Sequence, residues 1–123
     1  MVDTTIARKA IEMLYDCKCT IENLAEVEDS ETGIAEKVWQ VVASDISCKR
    51  SIKNIELAET SDNAPAVAQV ITLFLAPEVA VKAGSRITVT DKHGTITIYN
   101  SSGYPAVFTN HQEITLELVQ KWA

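Results

Sequence analysis

Apolar residues recur at helical spacing over Ile6, Ala7, Ala10, Ile11 and Leu14. The spacing predicts one amphipathic helix over residues 4–15, with Asp3 or Thr4 placed to cap its first turn. The period then shortens to two. Cys17, Cys19 and Ile21 alternate with Lys18, Thr20 and Glu22, the pattern of a half-buried strand in which the two thiols share one face as small apolar core residues. A charged run, Glu26 to Thr32 followed by Gly33, interrupts as a solvated loop, with residues 26–31 its acidic part. Strand-like text resumes from Val38 to Cys48. The stretch from Ala66 to Leu75 is apolar at both parities, which suits a strand covered on both faces or closed into a barrel. Ala76-Pro77-Glu78 stops it.

The clearest signal follows. Arg86 to Thr90 and Thr95 to Tyr99 flank Asp91-Lys92-His93-Gly94, where glycine supplies the positive φ of a tight β-hairpin turn. Residues Glu113 to Leu118 alternate again. Strand alternation then assigns Ile87, Val89, Ile96, Ile98, Ile114, Leu116 and Leu118 to the core, and Thr88, Thr97, Glu113, Thr115 and Glu117 to solvent.

Residues 49–65 have no clean period, and a structureless connection of that length inside a compact domain has a job or is mobile. Its first half is basic (Lys49, Arg50, Lys53) and its second acidic (Glu56, Glu59, Asp62). The split predicts a long mobile loop that serves as an assembly arm, pairing with a neighbour of opposite pattern such as the acidic loop 26–31. Ile52, Ile55 and Leu57 supply its apolar contact, and a plain solvated loop is the competing reading.

The chain has 123 residues, enough for a single domain with its own core. Its net charge of −6 argues against a general grip on nucleic-acid phosphates. No apolar run approaches a membrane span, and the acid-bearing start lacks the apolar block of a signal peptide, so a cytosolic protein is expected. Three cysteines, Cys17, Cys19 and Cys48, leave at least one unpaired in a monomer, which fits a reducing compartment.

Catalysis has little to rest on. His93 sits at a hairpin tip and His111 in an irregular stretch, and neither forms a nucleophile–base motif with a cysteine. A zinc site from the three cysteines and a histidine lacks any CxxC spacing. A glycine-rich phosphate loop and an aromatic-laced basic stripe are also missing. The expectation is a protein that is not an enzyme and takes no metal and no cofactor.

Three stretches, ARKAIEMLYDCKCTI, ITLFLAPEVAVKAGSRITVT and SSGYPAVFTNHQEITLELVQKWA, together resemble the head-closure or head–tail connector proteins in the neck of tailed bacteriophages and prophages of Gram-positive bacteria. The resemblance spans most of the chain except residues 26–37 and 50–65. It implies a mainly β fold, a small antiparallel β-barrel with one N-terminal α-helix, its strands lying between about 17 and 120. It also implies a homo-oligomeric ring between portal or adaptor and tail, through whose channel DNA passes, with no sequence-specific nucleic-acid binding and no membrane. The implied location is the virion neck, with the host cytoplasm during assembly.

In such a ring the stretch Tyr104 to His111 needs no chemistry. Pro105 keeps it from pairing as a central strand, while Tyr104 and Phe108 serve either as interface anchors or, Phe108 especially, as internal packing. Trp122, next to the chain end, folds back on the barrel or docks in a partner. A different neck or tail-completion protein is one alternative. The other is a cytosolic small-barrel module that holds a peptide or small ligand near Tyr104 and His111.

Overall fold

The structure, a computed structural model, describes residues 4–56 and 67–119. It is mainly β. One short helix, α1 (Thr4–Glu12), precedes six strands: β1 (Cys17–Glu28), β2 (Ala35–Glu56), β3 (Val67–Leu75), β4 (Arg86–Thr90), β5 (Ile96–Val107) and β6 (Gln112–Leu118). All pairings are antiparallel, and the sheet closes into a barrel in the order β1-β2-β3-β6-β5-β4. Closure leaves the barrel body without edges.

The core is the inner row of every strand. Cys17, Cys19 and Ile21 of β1 meet Cys48 of β2, Ile71, Leu73 and Leu75 of β3, Ile87 and Val89 of β4, Tyr99 of β5, and Ile114 and Leu116 of β6. The three thiols are free and buried there, Cys17 and Cys19 as the alternation of β1 predicts. Burial and then the adjacent Asp16 carboxylate push the Cys17 thiol up, while the Cys19 thiol and then burial push Cys48 up, so both are poor nucleophiles.

Several expectations need correction. The helix ends at Glu12 rather than at residue 15, because Leu14 and Tyr15 bond back to Ile11 and Glu12 across three residues and tighten the last turn. The cap assigned to Asp3 or Thr4 lies outside the described side chains. The acidic run 26–31 is no plain loop: β1 continues to Glu28, and only Asp29 to Ile34 turn, held by the Asp29 side chain and Gly33 at φ +69°.

The largest correction concerns residues 49–65. Residues 49–56 are not an arm but the second half of β2, paired with β3 from Cys48↔Leu75 to Glu56↔Val67. Their period was hidden because an inward position is charged. Arg50 points into the barrel end, where it donates to the Tyr99 hydroxyl at 3.2 Å and pairs with Asp91 at 3.6 Å. The remaining residues 57–65 lie outside the described residues, and with them Leu57.

In β5 the assigned faces are reversed. Ile87 stands opposite Tyr99 and Val89 opposite Thr97, and residues directly opposite share a face, so Thr97, Tyr99 and Ser101 turn inward. Ile96 is accordingly 65% exposed. Leu118 keeps its inward parity but stands at the open barrel end, where it is exposed.

Polar staples close the two ends. The buried Gln112 amide donates to the Ala76 and Val79 carbonyls, both at 2.7 Å, and holds the loop after β3 over the core. At the other end buried Ser85 and Ser101 exchange bonds, and the Ser85 hydroxyl donates to Asn23 of β1. In the β4–β5 turn the Asp91 carboxylate accepts from the amides of His93 (2.9 Å) and Thr95 (3.0 Å). Those amides, with the guanidinium of Arg50 beyond, hold it below the usual aspartate range.

Candidate assembly surface

Strands β1 and β2 are longer than the barrel they help to close. β1 pairs with β4 only over Lys18–Glu22, and β2 pairs with β3 only from Cys48 onward. Asn23–Glu28 and Ala35–Val42 therefore continue as a two-stranded ribbon with an open edge on each side, in register from Glu22↔Val41 to Glu28↔Ala35. Isolated ribbons of this kind are marginal in water. This one is rooted where it leaves the barrel. Arg86 binds Glu22 through two bonds at 3.1 and 3.0 Å and lies over the Trp39 ring, 4.5 Å from its centroid.

The exit itself is kinked. Register shifts between Cys19 and Glu22 leave extra residues in β2 between Val41 and Ile46, and Asp45 takes a left-handed φ of 54° within that stretch. Such bulges bend a strand and increase its twist. Asparagine and aspartate tolerate that φ better than branched residues do.

Beyond the kink, Arg86 over the Trp39 ring is the main cover among the described residues. Leu24, Trp39, Val41 and Val42 are exposed on the ribbon, Val41 to 59%. Around its tip stand five acids, Glu26, Glu28, Asp29, Glu31 and Glu36, against Lys37 alone, so residues 23–42 carry −4 of the chain's −6. The ribbon thus joins an apolar stem to an acidic tip and leaves its β-edges open.

A second apolar surface lies near the start of β1. Helix α1 is tied down by an ion pair from Arg8 to Glu78, with Glu12 adding a second partner at 2.8 Å, yet its apolar side is not covered by the barrel: Leu14 is 67% exposed and Ile6 and Met13 are open as well. Between helix and sheet is a cavity of about 270 Å³ lined by Ile11, Leu14, Tyr15, Lys49, Phe74 and His111. The Tyr15 hydroxyl is buried without a hydrogen-bond partner among the described residues, and burial raises its pKa.

Of the residues singled out from sequence, two meet at this cavity and a third stands beside it. Lys49 lines it and pairs with Asp16 at 3.3 Å. His111 lines it too, bonded to Glu113 at 3.1 Å and stacked on Phe108, with ring centroids 4.9 Å apart. Phe108 is thus half packed and half open. The others are not brought together. Arg50 is turned inward, Ile52 is exposed at the barrel end, Lys53 is exposed on the outer row of β2, and Ile55 lies in β2 with its side chain outside the description. Tyr104, 93% exposed, stands on a bulge where Gly103 to Pro105 leave the β5–β6 ladder between Ser102 and Ala106. Leu57 and Trp122 lie outside the described residues. The ribbon residues were missed, although Val38-Trp39-Gln40-Val41-Val42, apolar at both parities, carried the signal.

Among the described residues no cluster of three or more His, Cys, Asp and Glu side chains is placed to hold a metal ion, and no helix is long and apolar enough to cross a membrane.

No family model and no curated protein matches the chain. The fold is similar to that of xkdH, a protein of the phage-like element PBSX of Bacillus subtilis. The TM-score is 0.50 over 82% of this chain and 91% of that one, at 10% sequence identity.

Proposed function

We propose that the protein is a structural component of a phage or phage-like particle, a head-closure or head–tail connector that joins the portal and its adaptor to the tail as a ring around the DNA channel. The observation that carries this reading is the likeness of the whole barrel to xkdH of a phage-like element, which agrees with the three neck-like stretches of sequence. The uncovered ribbon and helix fit a subunit that finishes its surface only in an assembly, and the acidic balance suits a channel through which DNA slides without sticking. The test is fractionation of particles from an induced host carrying the gene and its neighbours. The chain should co-purify with portal and tail proteins, and its deletion should leave filled heads separate from tails. Normal joined particles without the chain would reject the reading.

The cavity beside His111 favours one competing reading, a small-barrel module that binds a peptide or small ligand there. That module would be absent from purified particles.

A further inference from the structure

We infer that the β1–β2 ribbon of one molecule docks in the α1-side cavity of a second copy, its apolar stem in the cavity and its acidic tip along Lys49 and Lys53. Three observations lead to this contact. First, the ribbon cannot reach its own cavity: Tyr15 lines the cavity just before β1 begins, and the twelve residues of β1 carry the tip away at about 3.3 Å per residue, roughly 35 Å or more.

Second, the charges match. The tip has five acids and one lysine, whereas the outer row of β2 presents Lys49 at the cavity and, two strand periods further on, Lys53, which has no ionic partner among the described residues. Third, ribbon against ribbon would set acid against acid, which costs binding. The contact is therefore head-to-tail, and a contact of that kind repeats around a ring or along a filament. The 270 Å³ cavity has room for apolar side chains from the row of Leu24, Trp39 and Val41, which share one face of the ribbon. The contact would supply the ring of the neck reading, but it is argued from these surfaces alone.

The test uses the purified full chain, an equal mixture of nitrogen-15-labelled and unlabelled protein, with zero-length carbodiimide cross-linking and mass mapping of mixed-isotope pairs. Glu26 or Glu28 of one chain should link to Lys49 or Lys53 of another. The double change Glu26→Lys with Glu28→Lys, both on the Leu24 face of the ribbon, should weaken association of the two chains about tenfold by sedimentation velocity, the result of losing about 1.4 kcal/mol. Adding Lys49→Glu with Lys53→Glu to the second chain should restore it. Circular dichroism controls for folding, above all for Lys49→Glu, which sets a carboxylate beside Asp16 at the cavity. Ribbon-to-ribbon links, links to other lysines, no mixed links up to the solubility limit, or no rescue would each overturn the contact. A chain with this link map that is absent from particles discards the neck reading and keeps the contact; a chain present in particles without it does the reverse.

Discussion

The barrel body and the β1–β2 ribbon share two strands and the same kinds of residue, yet they treat apolar side chains in opposite ways. Within the body, Cys19 and Ile21 of β1 are fully packed. A few residues on, Leu24 and Val27 of that strand are open to solvent, as are Val38 and Val41 of its partner. The difference is closure. In the body each inner row faces the inner rows of the other strands, while past Glu22 and Val41 no other strand stands opposite among the described residues. Fold stability therefore belongs to the first half of β1, while the second half contributes no side chain to the core.

Substitutions can break that contrast, and the largest effect belongs to the core. Leu116→Ala or Leu73→Ala removes a buried side chain and should cost about 2–5 kcal/mol. Glu117→Ala and Val41→Ala, at exposed positions, should stay within about 0.5 kcal/mol. Urea unfolding compares the four, and equal losses for Val41 and Leu116 would erase the distinction between the regions.

The joint between the regions ranks next. Asp45→Val places a branched residue at φ 54° and should cost about 1–2 kcal/mol, while Asp45→Gly should be neutral or stabilising in the same unfolding series. An equally tolerated valine would mean that the kink is not fixed by this backbone.

A smaller effect comes from pH. The folded Asp91 carboxyl is held below its ordinary value of 3.8 by the Thr95 and His93 amides and by Arg50. Its contribution is therefore present above that value and is lost as pH falls through the lower folded one. Melting temperatures taken from pH 5 down to pH 2 should fall less steeply for Asp91→Asn than for the parent chain, because the amide cannot titrate.

Much of the body was legible. The hairpin around Gly94, the inner rows of β4 and β6, and the core cysteines Cys17 and Cys19 follow from period two alone. Strand β5 misled because Thr-Ile-Thr-Ile-Tyr reads well on either face, and only the pairing of Tyr99 with Ile87 decides which face is inner. Residues 49–56 misled because an inward Arg50 is affordable only with Tyr99 and Asp91 beside it, and neither is near it in sequence. The candidate surface was half visible. Lys49, Phe108 and His111 were noticed as unusual, but a strand pattern says which residues alternate and not which lack cover, so Leu24, Trp39 and Val41 passed as ordinary strand.

The central claim, that the ribbon serves assembly and not folding, is tested most directly by native mass spectrometry of a chain in which Asn23 and Gln40, which face each other across the ribbon, are joined by Asn-Gly. Two residues of that type close an antiparallel pair as a tight turn. The account predicts a compact, low-charge monomer with no higher species at concentrations where the full chain shows them. A broad, highly charged envelope would show that the barrel needs its ribbon to fold, and oligomers persisting in the shortened chain would show that the ribbon does not join the molecules.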